Sequence, residues 1–130
     1  MTKCPDGWLT HSGSCYKYVV GSSSWHDARQ DCLHSGGDLV SINSQEEWTW
    51  VLAQKPDGKY WIGFHDNSKE GSFEWSDGSP VMCLLFFRYW GAGEPNNIGD
   101  EDCIEILGDT WNDQECTDTI NYICEITVGR

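Results

Sequence analysis

The sequence predicts an α+β fold in which two helices flank small antiparallel sheets and disulfides staple the chain. Three observations carry this. Helical spacing of apolar residues occurs twice, around Trp25–Cys32 and Trp48–Leu52. Strand-like runs precede these segments at Cys15–Val20 and follow them from Tyr60 onward, which reads as α+β and not as alternating βα units. Seven cysteines in 130 residues are dense for buried cytosolic thiols and suit disulfides made in an oxidising compartment. A chain of this length makes one domain over 1–130, since either half alone would be short of core. Repeats, linkers and low-complexity tracts are absent from it.

The elements follow in order. Trp8-Leu9 and Cys15–Val20 alternate as paired strands, with Gly13 in the turn. Ser24 caps the first helix, and Asp27 in its first turn complements the helix dipole. Trp25, Ala28, Arg29 and Cys32 form its inward side, and Gly36-Gly37 ends it. Asp38–Ile42 is a short extended link. Ser44-Gln45-Glu46-Glu47 is a capping box, with Trp48, Val51 and Leu52 as the apolar stripe behind it. Pro56-Asp57-Gly58 stops this second helix. Tyr60–Phe64 is a buried strand, and Phe73–Trp75 is another, turned by Ser76-Asp77-Gly78. Residues 88–102 are a long loop rich in Gly, Asn and acid. Ile104–Leu107, Thr110-Trp111 and Tyr122–Ile126 close the chain as strands.

Charge narrows the function. Twenty-one acidic residues against eight Lys and Arg give a net charge of −13. Nucleic acid needs a basic surface to displace its counterions, so no nucleic-acid partner is expected. An anionic membrane surface is disfavoured on the same ground. The longest apolar run, Met82–Phe87, has strand length and falls far short of a membrane span, so no transmembrane segment is expected. The first residues lack a hydrophobic signal-peptide centre. Met1 is read as a start codon on a mature chain, and the cysteines point to a secreted or extracellular protein. They stand at 4, 15, 32, 83, 103, 116 and 124, without a C-x-x-C pair or zinc-site spacing. Spacing alone does not choose their pairing, and one is left over when six pair.

Between 94 and 113 the chain concentrates Glu94, Asn96, Glu101, Asp102, Asn112 and Asp113 in or beside turns. Carboxylate and amide oxygens are the donors Ca²⁺ takes, whereas Zn²⁺ takes His or thiolate. A solvated acidic loop is the competing reading of the same residues. Catalysis finds no support: the four histidines are scattered, and no Ser or Cys lies in a nucleophile motif. The acids could imitate a glycosidase pair, but they sit among Asn residues. No catalytic residue is assigned, and an enzyme is not expected.

Trp61-Ile62-Gly63-Phe64, Glu94-Pro95-Asn96, Trp111-Asn112-Asp113 and six of the cysteines together resemble the C-type lectin (carbohydrate-recognition) domain, from Cys4 to Glu125. Each string is weak alone; their order within one cysteine frame is specific. The Glu-Pro-Asn triplet followed by Asn97 resembles the mannose-type branch. The resemblance implies disulfides Cys4–Cys15, Cys32–Cys124 and Cys103–Cys116, the first marking the long form of the domain. It implies a principal Ca²⁺ site of Glu94, Asn96, Glu101, Asn112 and Asp113, whose ligands also hold the sugar. An auxiliary Ca²⁺ site of Asp66, Glu70, Asn97, Glu101 and Asp102 is implied as well. His65, beside Asp66, is expected to gain charge near pH 6 and to assist metal release.

Two vicinal sugar hydroxyls would complete the principal coordination sphere. Glu94 and Glu101 accept their hydrogen bonds, while Asn96 and Asn112 donate through NH₂. In the family this order goes with mannose, fucose and N-acetylglucosamine (GlcNAc)-type glycans. Galactose-type binding through the same Ca²⁺, helped by stacking on the aromatic run Phe86–Trp90, is one alternative. A cation-independent protein-binding module on the same fold is another. Cys83 has no partner in the family scheme: it is either a buried free thiol or a bridge to a second copy of the chain.

Overall fold

The structure, a computed structural model, describes residues 4–67, 72–81 and 103–127. Cys83, the apolar run around it and the loop at 88–102 lie outside the described residues. Strands β1 (Leu9–His11) and β2 (Ser14–Ser23) form the expected hairpin, turned at Ser12-Gly13. Helix α1 (Trp25–His34) starts at Ser24, whose hydroxyl accepts the Asp27 N–H at 3.3 Å. A short strand β3 (Asp38–Leu39) leads to α2 (Gln45–Gln54). Strands β4 (Tyr60–His65), β5 (Glu74–Trp75), β6 (Cys103–Leu107), β7 (Thr110–Gln114) and β8 (Ile120–Thr127) follow.

Among the described residues the strands join in one sheet of order β1-β2-β8-β4-β6-β7, with β3 on β8 and β5 on β4. The pairings are antiparallel except β4 with β8, which is parallel. All six residues of β4 are buried, and alternation sends them to opposite faces. Tyr60, Ile62 and Phe64 join Trp48 and Val51 of α2 in one apolar cluster. Trp61 joins Trp25, Ala28 and Cys32 of α1 in the other. A strand covered on both faces reads as a continuous apolar run, as Tyr60–Phe64 does. The indole N–H groups lock the layers: Trp25 Nε1 donates to the Ile62 carbonyl and Trp61 Nε1 to the Ser23 carbonyl, each at 2.9 Å.

Gly63 is required by close approach. A Cβ there would lie 2.8 Å from Ser76 Oγ and 3.1 Å from the Leu39 and Val40 carbonyl oxygens. The chain crosses so tightly because Gly63 N–H bonds the Val40 carbonyl while its own carbonyl takes the Ser76 N–H, both at 2.8 Å.

Two local expectations change in detail. Arg29 does not line the core: its guanidinium spans Asp38 at 3.1 and 3.3 Å and the Ser76 carbonyl at 3.1 Å. The charge goes to the nearest carboxylate at the helix edge. Ser44 does cap α2 through the Glu47 N–H at 3.0 Å. The Glu47 carboxylate, however, reaches past the cap to the Asn43 N–H at 2.8 Å, drawn inward by the Tyr16 hydroxyl at 2.6 Å. The three disulfides are Cys4–Cys15, Cys32–Cys124 and Cys103–Cys116. The second closes a sequence separation of 92 residues, a constraint worth about 4–5 kcal/mol on the chain-entropy model.

Candidate functional site

Strands β6 and β7 are joined by a two-residue loop, Gly108-Asp109, which sets Leu107 opposite Thr110. Gly108 has φ +64°, the value such a loop asks of its first residue. The register that follows pairs Ile106 with Trp111, Glu105 with Asn112 and Ile104 with Asp113. Trp111 is core: its ring meets Trp48 and Trp75 edge-on at 6.0 and 5.6 Å between centroids. It anchors the hairpin from beneath. Strand β7 ends the sheet order among the described residues, so Asn112 and Asp113 lie on an edge strand. Alternation directs their side chains to opposite faces of that edge.

The same end of the sheet gathers the described part of the auxiliary set. His65, the last residue of β4, pairs with Cys103, the first of β6, and Cys103 pairs with Gln114 of β7. Asp66 follows His65 directly, and Cys103–Cys116 ties this end together. Asp66 and Asp113 are almost fully buried, at 3% and 1% exposure. Glu94, Asn96, Glu101, Glu70, Asn97 and Asp102 lie outside the described residues. Within those described, no three His, Cys, Asp or Glu side chains gather closely enough to hold a metal by themselves. The donor chemistry fits a hard cation. Oxygen donors predominate, the nearby sulfurs are tied as a disulfide, and His65 Nδ1 already accepts the Asn67 N–H at 3.1 Å.

That last bond corrects one expectation. Protonating Nδ1 would break it, and burial pushes the His65 imidazole below its ordinary value, although Glu74 and Asp66 pull the other way. His65 therefore carries less charge at pH 6 than a free histidine, against the gain the sequence suggested.

One residue escaped the sequence reading. Glu105 is 0% exposed, between Ile104 and Ile106. Its Oε2 accepts Asn112 Nδ2–H at 2.8 Å, while Oε1 is buried without a hydrogen-bond partner among the described residues. Burial pushes this carboxyl up; the Asn112 bond and the charge of Lys59 pull it back. The available signal was register: a loop at Gly108-Asp109 places position 105 opposite position 112.

A second buried acidic group lies elsewhere, where β2, the start of α2 and the end of β8 meet. A polar cavity of about 230 Å³ is lined there by Tyr16, Ser41, Glu47, Asp77 and Glu125 among others. The Ser41 N–H bonds Glu125 Oε1 at 3.1 Å and the Ser41 hydroxyl bonds Asp77 at 2.8 Å.

With fold and site described, the family follows. The model of the family "Lectin C-type domain" matches residues 21–126, and this chain belongs to that family. CD209 antigen-like protein A of Mus musculus is 44% identical over 123 residues, which are 94% of this chain and 51% of that protein. The chain thus spans about half the length of that relative. Among solved structures, the cow C-type carbohydrate-recognition domain of CD23, determined in the presence of a GlcNAc2Man3 oligosaccharide, is 32% identical with a TM-score of 0.90, each chain covered in full. The mouse scavenger receptor C-type lectin carbohydrate-recognition domain is 33% identical with a TM-score of 0.88, covering 98% of this chain and 100% of the other. Both of these solved structures are C-type carbohydrate-recognition domains. No helix among the described residues is long and apolar enough to cross a membrane.

Proposed function

We propose that the chain is a single extracellular carbohydrate-recognition domain that binds mannose-, fucose- or GlcNAc-type glycans in a calcium-dependent way. The observation that carries this reading is the convergence of Asp66 and the Asn112-Asp113 edge at one end of the sheet, beside Cys103, the first residue of β6. Asp66 and Asp113 are buried there, and carboxylate oxygens of this kind are the donors a hard cation takes. Glu94, Asn96, Glu101, Asn112 and Asp113 would hold the principal calcium ion. Asp66, Glu70, Asn97, Glu101 and Asp102 would hold the auxiliary one. The bound ion supplies coordination positions for two vicinal hydroxyls.

The protein's own residues then set specificity. Glu94 and Glu101 only accept hydrogen bonds, whereas the amides of Asn96 and Asn112 donate. A diol is held when each hydroxyl donates to a carboxylate and accepts from an amide. The cow CD23 domain, solved with a mannose-containing oligosaccharide present, is consistent with that choice. The three disulfides support an extracellular location.

A glycan array read with calcium and again with EDTA tests the proposal. Mannose- and fucose-type signals should appear with calcium and vanish with EDTA. Glu94→Gln should abolish them while the unfolding profile in EDTA is retained. Calcium at millimolar concentration should also raise the melting temperature, as any ligand specific to the native state does. An unchanged melting temperature would sink the assignment.

A further inference from the structure

We propose that Glu105 is a positioning residue, whose carboxylate fixes which way the Asn112 amide faces at the sheet edge. The inference rests on the calcium reading above. A carboxylate accepts hydrogen bonds and donates none when ionised. At 2.8 Å from the Asn112 amide it therefore takes the NH₂ end, because the carbonyl end would set oxygen against oxygen. Asn112 Oδ1 is turned away from Glu105 as a result. One N–H of the amide is spent on Glu105; the second stays available for a ligand hydroxyl.

The arrangement has a reason beyond packing. Glu105 is completely buried, and among the described residues its Oε1 has no donor. A buried carboxylate with an orphaned oxygen is an expensive way to fill space on a covered sheet face. A neutral residue would fill it more favourably but would lose the discrimination between the two ends of the amide. Groups that orient a metal ligand from behind typically change metal affinity about 10- to 100-fold when removed. Glu105 matches that description: it touches the proposed ligand Asn112 and is not itself among the proposed ligands.

The test compares wild type, Glu105→Met, Glu105→Gln, Asn112→Ala and the double variant Glu105→Met/Asn112→Ala. Calcium affinity is measured by calorimetry, and the Asn112 side-chain NH₂ pair by ¹⁵N-correlated NMR in EDTA. Wild type should show two well-separated Asn112 protons, one shifted by its bond to Glu105. In Glu105→Met that separation should collapse and calcium affinity should fall about 10- to 100-fold. Glu105→Gln, whose carbonyl still accepts, should fall between. The double variant should bind no more weakly than Asn112→Ala alone, since both changes act through one amide. Multiplied losses in the double variant, or a Glu105→Met affinity within about twofold of wild type, would overturn the proposal. An unshifted Asn112 pair in wild type or an unchanged one in Glu105→Gln would overturn it as well, even if Glu105→Met fails to fold. A wild type that binds no calcium while showing the shifted pair would overturn the calcium reading and leave Glu105 without a ligand to position.

Discussion

The two buried acidic regions differ in how their oxygens are satisfied. Near α2 and β8 every carboxylate meets donors from the fold. Glu47 takes the Tyr16 hydroxyl and the Asn43 N–H, Glu125 the Ser41 N–H, and Asp77 the Ser41 hydroxyl and the Ser79 N–H. At the β6–β7 hairpin Glu105 meets one donor among the described residues and buries its other oxygen without any. A carboxylate supplied with donors by its own fold helps hold that fold together. One buried with a donor missing costs stability, and the role proposed for it above is the orientation of the Asn112 amide. Buried acid is therefore not one signal; the count of donors separates the two cases.

The largest expected effect breaks the foundation the two regions share. Trp48 of α2 and Trp111 of β7 meet edge-on in the core, so both regions stand on the same aromatic cluster. Trp111→Ala should cost about 3–5 kcal/mol, as large-to-small aromatic substitutions in cores do. Urea denaturation in EDTA measures it. A loss below about 1 kcal/mol would mean that Trp111 serves the site and not the core.

The next effect separates the regions by pH. Burial first, and then the charge of Glu47, raise the Glu125 carboxyl from its ordinary 4.5 to about 7. Asp77 adds to the rise, while hydrogen bonds from Ser41 and Ser14 oppose it. Between those pH values the folded chain keeps a proton that the unfolded chain has released. Stability contributed by this group is therefore fully present below about pH 4.5, falls as pH rises, and is lost above about pH 7. The span corresponds to on the order of 3 kcal/mol. Wild type in EDTA should lose stability between pH 5 and 7.5 relative to Glu125→Gln, which has no such proton to lose. Parallel curves for the two proteins would show that Glu125 stays ionised despite its burial.

How much of this was legible in the sequence depended on range. Ser24 and Ser44 announced both helices because capping is a local event, settled within four residues. Gly63 stood within a readable strand, but its cause, the crossing of residues 39–40 and 76, is not local. The cysteine pairing came from family resemblance and not from spacing. At the site, Asn112 and Asp113 were readable as a motif, and Glu105 was not. Strict alternation beside Ile104 and Ile106 assigns Glu105 to a solvent face, and its burial depends on tertiary cover that no local pattern encodes. His65 differs for the same reason: its neighbour Asp66 promised a raised charge, whereas burial, with the Trp25 ring centroid 4.9 Å away, pushes the imidazole below its ordinary value.

A smaller change is expected at Glu105 itself. In EDTA, Glu105→Met should change folding stability by less than about 1 kcal/mol, and in the favourable direction if either. Methionine fills a similar volume, is unbranched and adapts to irregular gaps. Replacing a buried, incompletely bonded charge by an apolar side chain of like size is commonly neutral or stabilising. Against this stands the lost bond to Asn112, but Asn112 is only half-buried and water can take up its freed N–H. The analogous change at the other region, Glu47→Met, strands the buried Tyr16 hydroxyl, removes the acceptor of the Asn43 N–H and should cost about 1–3 kcal/mol. Chemical denaturation of the two variants side by side decides the matter. Equal losses would show that both carboxylates belong to the fold, and the distinction drawn from their donors would collapse.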